Sequence, residues 1–488
     1  MAEITSELTK IRRKLIKEIV SLALENRLIE KIDLLPEKIT GDGLTNYRCC
    51  KYKEQAILTE RIKLLLGIGP YTFDKNKKLS EIVKEVVNNN FNVDEDEHYI
   101  KIIEEACDHC SIDKIVVTNA CRNCVAHHCV NSCPKDAIKI LENRAYIDKN
   151  KCVECGLCVK SCPYGAIIEI DRPCNRACEI DAIVPGETST ARINYEDCLE
   201  CGTCIAACPF GAISYKSDIL KVTWMLKEKK DMYALVAPSF VGQFGPMVQF
   251  AELKRGLKKL GFSDVYQVAS GADMAIEEES SEVLEKLKKQ KGKLTFNSCC
   301  PSFKLLINKY FPNLSKHISD TPSPMLMIAN RVKNEFGGKC VFIGPCIAKR
   351  GEAIREGKSV IDAVINFEEL AAMLVGGGIN LANINIDARE NTDRELVPSK
   401  AARNFCKNGG VMQSILDNVK GKIGEDLEVN SAAGINECLN LLKTIDRGQK
   451  KYKFVEGMGC EGGCLGGPGV LVKAKVSRRL LSNETGGE

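Results

Sequence analysis

Leu8, Ile11, Leu15, Ile19 and Leu22 recur at steps of three and four residues, which puts them on one face of an amphipathic helix. A second helical pattern runs from about Lys53 to Leu66, closed by Gly67 with Pro70 just beyond. The first hundred residues therefore read as a helical region packed on whatever follows. After residue 215 the pattern changes to short apolar runs: YALVAPSF, KLTFNSCC and KCVFIGPC each pass from a strand into a loop bearing Pro or Cys. The helix-like segments QFAELKRGLKKLG and EEESSEVLEKLKKQ lie between or beside them. This alternation predicts an α/β domain, in which ligands bind at loops leaving the carboxyl ends of strands.

No apolar run reaches the length of about 18 residues that would span a bilayer. The N-terminus alternates charged and aliphatic residues without an export signal, which places the protein in the cytoplasm and predicts no membrane contact. With 488 residues the chain is long enough for two or three domains. One Trp, 12 Tyr and a net charge of +4 on 69 basic residues give no nucleic-acid footprint.

Cysteine decides the class. Of 26 Cys, 16 fall between Cys107 and Cys208. Four phrases repeat there: CPKDAI at Cys133, CPYGAI at Cys162, CEIDAI at Cys178 and CPFGAI at Cys208, four half-motifs forming two tandem pairs. Cys152, Cys155, Cys158 and Cys162 have the bacterial ferredoxin spacing, repeated by Cys198, Cys201, Cys204 and Cys208. In that run three close thiolates clamp one cubane and the fourth reaches its neighbour. Cys121, Cys124, Cys129 and Cys133 are the same phrase with two extra residues.

Pairing by this rule gives one cluster on Cys121, Cys124, Cys129 and Cys162 and a second on Cys152, Cys155, Cys158 and Cys133. A third takes Cys198, Cys201, Cys204 and Cys178. The second pair is irregular, because the half-motif of Cys174 and Cys178 lacks its first two cysteines. A fourth cluster on Cys174 and Cys208 needs Cys107 and Cys110 to fold back and complete it. Zinc is the competing reading, but it takes one tetrahedral set, usually two separated pairs, whereas here three Cys crowd within seven residues. His127 and His128, next to a satisfied four-Cys set, are assigned outside the ligands. Four oxidised cubanes would move the formal charge from +4 to roughly −4 or lower. Cys49-Cys50 is either a reactive pair or, as is commoner for adjacent thiols, a buried one.

The α/β part holds eight Cys, five of them in three loops: NSCCPSF, GPCIAKR and EGMGCEGGCLGGPG. Four thiolates from these loops could hold one more cubane, with one thiol left over. Cys340, Cys406 and Cys438 fall outside the loops and default to buried core thiols. Gly457, Gly459 and Gly462 spell GxGxxG, but no acidic residue stands near the twentieth position beyond, so a nicotinamide site is not expected.

These three loops resemble the signature motifs of the iron-only ([FeFe]) hydrogenases, over about residues 216 to 475. That family also carries ferredoxin-like modules upstream. The resemblance implies an H-cluster: a cubane on Cys300, Cys346, Cys460 and Cys464, the last bridging to a two-iron unit bearing CO, cyanide and an azadithiolate. It implies that Cys299 is the free thiol relaying protons and that Lys349 hydrogen-bonds a cyanide. Met458 matches a methionine packed beside the two-iron unit, Ala237, Pro238 and Ser239 a pocket wall, and Ser323 and Pro324 a second wall. Glu279, Glu282 and Ser319 fall where the family's proton relay sits, although EEESSE also reads as a solvated acidic face. The partners implied are a ferredoxin or similar one-electron carrier, H2 and protons, and H-cluster maturation proteins.

Two departures touch the surroundings of the cofactor: Gly344 where better-known members have Met, and Met325 where many have Gln. They suggest the less-studied single-chain branch with two ferredoxin-like modules. The domain reading is a helical region over 1–105, a tandem ferredoxin-like (α+β) iron-sulfur domain over 106–215 and a catalytic α/β H-cluster domain over 216–488. The function expected is a ferredoxin-linked hydrogenase. The alternatives are a low-turnover H2 sensor, which usually carries a signalling module, and a non-enzymatic iron-sulfur assembly protein, which would not be expected to keep both Cys299 and Lys349.

Overall fold

The structure is a computed structural model that describes residues 6–41, 47–94, 96–108, 110, 114–186, 190–289, 294–384, 397–423 and 427–485. The N-terminal helix Glu7–Leu24 starts at Ser6, whose hydroxyl accepts from the Thr9 amide, and buries Leu15, Ile16, Ile19, Val20, Leu22 and Ala23. The stripe read from the sequence is therefore its core face. Ser21 donates to the Gly376 carbonyl at 2.8 Å, and both Arg12 and Arg13 pair with Glu368, so this helix docks on the α/β part of the chain. The second helix spans Lys51–Leu65. Gly67, at φ +84°, turns the chain where a side chain would be strained.

The cysteine-rich stretch is built of short antiparallel pairs: Ile115–Val117 with Ile167–Glu169, Ile138–Leu141 with Arg144–Ile147, and Ile183–Pro185 with Ala191–Ile193. Ile100–Ile102 pairs with Ile213–Tyr215, so the residues just before and just after the stretch close on each other. The left-handed Gly156 and Gly202 each open a one-turn helix carrying the third thiol of a ferredoxin run.

Seven strands after residue 230 form two parallel sheets. The first has the order β2-β1-β4-β5, with β1 Met232–Val236, β2 Asp264–Gln267, β4 Lys339–Ile343 and β5 Ala363–Ile365. The second has the order β3-β7-β6, with β3 Thr295–Phe296, β6 Val429–Ala433 and β7 Phe454–Met458. The strands are near-continuous apolar runs because helices cover them. Ala234, Leu235, Val236, Val341 and Ile343 are fully buried in a core that also takes in the N-terminal helices. The neighbours β1 and β4 in one sheet and β3 and β7 in the other release four loops from their carboxyl ends, and the site lies among these loops.

No helix among the described residues is long and apolar enough to cross a membrane.

Candidate active site

The loops after β1, β3, β4 and β7 enclose a cavity of about 90 Å³. Its lining includes Cys299, Cys300, Cys346, Cys460 and Cys464, together with Ala237, Pro238, Ser239, Pro324, Met325, Lys349 and Met458. Ser323 is buried at the start of the helix Pro324–Phe336 but is not among the lining residues. The backbone sets the loops tightly. Ala237 donates to the Ile343 carbonyl at 2.8 Å, Asn297 to the Val455 carbonyl at 3.2 Å, and Gly469 to the Pro345 carbonyl at 2.8 Å. A Cβ on Gly457 would lie 2.2 Å from the Phe303 ring, so this close approach requires glycine.

Burial pushes the Cys299, Cys460 and Cys464 thiols well up from the usual range and Cys346 to about 12. Cys300 also rises through burial, opposed by backbone N–H groups; the amide of Gly459 donates to its sulfur at 3.3 Å. Such clustered thiols become thiolates only when a metal supplies compensating charge. Cys299 differs in its partner: the Asn297 side-chain amide donates to its sulfur at 3.1 Å, while the same side chain exchanges hydrogen bonds with the backbone of Gly457. Asn297 thus fixes the free thiol against the loop that carries Cys460.

Lys349 forms an ion pair of 2.5 Å with Glu352, deep beside the cavity. Burial works to lower its pKa, but Glu352, Cys346 and Cys299 outweigh that and leave the ammonium raised. The Ser239 hydroxyl is buried against the cavity wall without a partner among the described residues. Four thiols from three loops, one ammonium and one orphan hydroxyl around an otherwise apolar chamber fit an H-cluster in ligand number and in donors for small anionic groups.

The residues expected to relay protons meet behind Cys299. Glu279 is buried in the helix Val268–Lys289, and its charge bears on the Cys299 thiol. Burial first, and Glu282 second, push its carboxyl up to about 8. Ser319 donates to Glu282 at 2.5 Å and also works to lower the Glu279 carboxyl, while Glu279 Oε1 is buried without a partner among the described residues. Ser319 and Thr321 also line an open hollow of about 520 Å³. The acidic phrase is split by helical period: Glu277 and Glu278 are solvated, and Glu279 points inward.

Two of the four expected sets of accessory thiols each line a cavity of their own. Cys133, Cys152, Cys155 and Cys158 line one cavity, and Cys178, Cys198, Cys201 and Cys204 another of about 230 Å³. Cys124 and Cys162 act on Cys129, and Cys121 accepts from the Ala145 amide at 3.5 Å. Cys174 is pushed up by burial and then by Cys208, with Cys110 contributing, and Cys110 in turn feels Cys107. Amides of Ala137, Ala166 and Ala212 each donate to the sulfur four residues earlier, at 3.3 Å. Cys201 lines the catalytic cavity as well as its own, and a Cβ on Gly202 would come within 3.1 Å of Ile347 and Pro468, so the two sites abut.

Cys340, Cys406 and Cys438 are buried core thiols, as expected; Cys406 in addition lines the cavity, and its carbonyl accepts from the Cys464 amide at 2.9 Å. It lies outside every motif because the chain between Phe367 and Cys464 brings it back only in the fold. Cys49 and Cys50 are both exposed, not buried, with their sulfurs 4.0 Å apart. Asn297, Phe342 and Glu352 were given no role by the sequence; only the polar Asn297 ending an apolar strand hinted at one. His128 is exposed and His127 half-buried, consistent with their assignment outside the ligands.

Residues 230–468 match the family described as the iron only hydrogenase large subunit, C-terminal domain, and residues 145–168 and 191–214 match 4Fe-4S binding domains. Iron hydrogenase 1 of Clostridium pasteurianum is 29% identical over 388 residues, 69% of this chain and 67% of that protein. The periplasmic [Fe] hydrogenase large subunit of Nitratidesulfovibrio vulgaris is 29% identical over 272 residues, 47% of this chain and 64% of that one. The chain thus spans about two thirds of the length of these relatives. A solved structure of an [FeFe]-hydrogenase HydA1 variant from Chlamydomonas reinhardtii aligns at 23% identity and a TM-score of 0.42, over 52% of this chain and 84% of that chain.

Proposed function

From the premise that this chain is an [FeFe]-hydrogenase-like protein, with 4Fe-4S binding segments ahead of its catalytic part, we propose that it catalyses the reversible conversion of protons and electrons into H2. Its direct partner is a ferredoxin or similar one-electron carrier, its compartment the cytoplasm. The H-cluster, when bound, supplies a Lewis-acidic iron and a basic amine for heterolytic cleavage or formation of the H–H bond.

The chain's own groups do the rest. Cys300, Cys346, Cys460 and Cys464 would hold the cubane, and Lys349 and Ser239 present donors to the two-iron half. Pro324, Met325, Phe342 and Met458 keep the chamber apolar, which strengthens each hydrogen bond made inside it. Cys299, held by Asn297, passes a proton toward Glu279. Ser319 and Glu282 carry it on to the open hollow. The ligand sets given above would hold four accessory clusters, which would supply one-electron carriers, and the set bearing Cys201 stands against the cavity.

The observation that carries this reading is Cys299: a thiol outside the four-Cys set, fixed by Asn297, with Lys349 on the cavity side and Glu279 on the other. The test is H2 evolution from reduced methyl viologen by anaerobic protein loaded with the two-iron unit, with loading verified by CO and cyanide infrared bands. Rapid evolution is expected. Full loading without turnover would favour an H2 sensor, and failure to load an iron-sulfur assembly protein.

A further inference from the structure

The first ferredoxin run carries two residues more than the regular ones, and the hydrogenase reading leaves them without a role. In the regular runs the left-handed Gly156 and Gly202 directly follow Cys155 and Cys201 and open the next one-turn helix. In the first run the left-handed residue is His127, at φ +43°, which opens the helix His128–Asn131. The added residues are therefore Val125 and Ala126, set straight after Cys124, and both are exposed. The insertion is a folded turn: the His127 amide donates to the Cys124 carbonyl at 3.1 Å and the Asn131 side chain to the Ala126 carbonyl at 3.2 Å. His127 is strained where the glycines of the regular runs are not. The turn holds Val125 at 97% exposure, the highest of any large apolar side chain among the described residues.

Its surroundings are basic. The helix His128–Asn131 packs on the helix Leu157–Ser161, which carries Lys160, and Tyr164, 59% exposed, follows two residues after Cys162. Arg122 stands between Cys121 and Cys124. Arg122 and Lys160 are exposed, and neither forms an ion pair among the described residues. No Asp or Glu occurs from Lys114 to Lys135 or from Cys155 to Ile168, the two stretches that hold Cys121, Cys124, Cys129 and Cys162. The hairpin turn reaches the loop through Asn143, which accepts from the Asn123 side chain at 3.4 Å. It brings Glu142 and, balancing it, Arg144, which donates to Asn119 at 3.0 Å. Around the Cys152 set the signs are even: Lys135, Lys149 and Lys151 stand with Asp136, Asp148 and Glu154. There Val153 and Leu157 are 57% and 44% exposed.

All-thiolate clusters are anionic, so two of them on different proteins approach only where basic side chains offset the repulsion. An apolar centre with a charged rim is the anatomy of a protein interface, and redox encounters are among the smallest, so a small patch suffices. Resting on the hydrogenase reading above, we propose that Val125, Tyr164, Arg122 and Lys160 form the docking site of an acidic one-electron carrier protein, at the Cys121 set and not at the Cys152 set. A carrier seated on Val125 lies one residue from Cys124. One electron passes per encounter, the carrier being oxidised in H2 formation and reduced in H2 uptake. Val125 and Tyr164 supply the dry contact, and Arg122 and Lys160 steer the approach.

The test is anaerobic isothermal titration calorimetry of the full, cluster-loaded chain against an acidic 2[4Fe-4S] ferredoxin at low and high salt. Binding that weakens as salt rises is expected. Val125→Glu should weaken it about tenfold or more, and Arg122→Glu and Lys160→Glu should weaken it and flatten its salt dependence. Val153→Glu, the same change at the Cys152 set, should alter it by less than about twofold. Only variants with the parent's iron content are compared, and Lys160→Glu, on a helix and not between two cysteines, keeps the steering test open if Arg122→Glu loses iron. No binding by the parent chain, equal weakening by Val125→Glu and Val153→Glu, or parent-like binding by Val125→Glu would overturn the proposal. So would sedimentation showing that this rim joins two copies of the chain in place of the carrier. The two readings fail separately. H2 evolution from reduced methyl viologen, with ferredoxin binding unaltered in Val125→Glu, removes the docking site and keeps the hydrogenase. Salt-dependent binding that Val125→Glu abolishes, in a chain without turnover, keeps the docking site and removes the hydrogenase.

Discussion

The Ser319 hydroxyl donates to the Glu282 carboxylate at 2.5 Å, tying the segment that follows the helix Pro301–Tyr310 to the long helix Val268–Lys289. One turn earlier on that helix, the buried Glu279 bears on both Ser319 and Cys299. A thiol, two carboxyls and a hydroxyl thus lie between the thiol-lined cavity and an open hollow. Every member can both give and accept a proton.

Replacing Glu279 by Gln keeps its shape and removes its ability to pass a proton. Turnover is expected to fall by about 100-fold or more, with CO and cyanide infrared bands of the loaded protein unchanged. Near-normal H2 evolution in this variant would remove Glu279 from the relay.

Cys299→Ala should likewise load fully and lose most turnover, because the thiol that Asn297 holds in place to pass the proton toward Glu279 is gone. The comparison with Cys300→Ala separates the two neighbours. The latter removes a ligand, so its iron content and infrared bands should be lost together. If both variants kept their bands, the roles of the adjacent cysteines would be misassigned.

Buried carboxyls also give a pH signature. Glu279 is pushed from the ordinary 4.5 up to about 8 and Glu456 up to about 7, both chiefly by burial. Below about pH 4.5 both groups are protonated in folded and unfolded chains alike. Above it the unfolded chain ionises them while the folded chain keeps its protons, so stability declines as pH rises, by up to about 1.4 kcal/mol per unit for each group. The decline ends near 7 for Glu456 and near 8 for Glu279. Thermal midpoints of the Glu279→Gln variant between roughly pH 5 and 8 should therefore fall less steeply than those of the parent chain. Parallel slopes would show that Glu279 does not retain its proton.

The pair Lys349–Glu352 sets a fourth expectation. Glu352→Gln leaves a buried ammonium without its carboxylate, and breaking a buried pair from one side typically costs about 3 kcal/mol or more. The thermal midpoint should drop and the cyanide bands shift as Lys349 reorients. Arg355→Gln, which breaks the bidentate pair with Glu200 at 2.9 Å, should cost about 1 kcal/mol or less, since Arg355 is 39% exposed and solvent screens it. Equal losses in the two variants would contradict the difference in burial.

Ligand chemistry was legible in the sequence because thiolate spacing is local: three cysteines within seven residues can only reach one cluster. The fourth set was legible as a remainder, and the fold brings Cys110, Cys174 and Cys208 into mutual influence. Helices and strands with one repeated apolar face were readable for the same reason. Residues whose role depends on chain return were not. Cys406 reaches the cavity from the loop between the helices Lys400–Asn404 and Gly410–Ile423, far from every motif. Glu456 looked like part of a glycine-rich phrase, yet its carboxylate accepts the Gly409 and Met412 amides at 2.8 Å, at the start of the helix Gly410–Ile423. Cys49 and Cys50 precede the helix Lys51–Leu65, and nothing in adjacent thiols says which way they turn.

Gly344 explains itself in the structure. A Cβ there would stand 2.6 Å from the Phe342 ring and 2.9 Å from the Ala237 side chain, both part of the cavity wall. The missing side chain is therefore what lets the Phe342 ring lie against the chamber, in a space that a methionine at this position would occupy. Met325, on the facing helix Pro324–Phe336, is fully buried against the same chamber. Gly344→Met should overpack this wall at a cost of about 1–3 kcal/mol and push Phe342 off its rotamer. Pairing it with Phe342→Ala opens the space and should recover part of the lost stability, a coupling measurable by a double-mutant cycle. The CO bands of the loaded single variant are expected to shift, since the wall beside Ala237 moves. Additive losses in the two variants, with unshifted bands, would mean that Gly344 and Phe342 do not share this space.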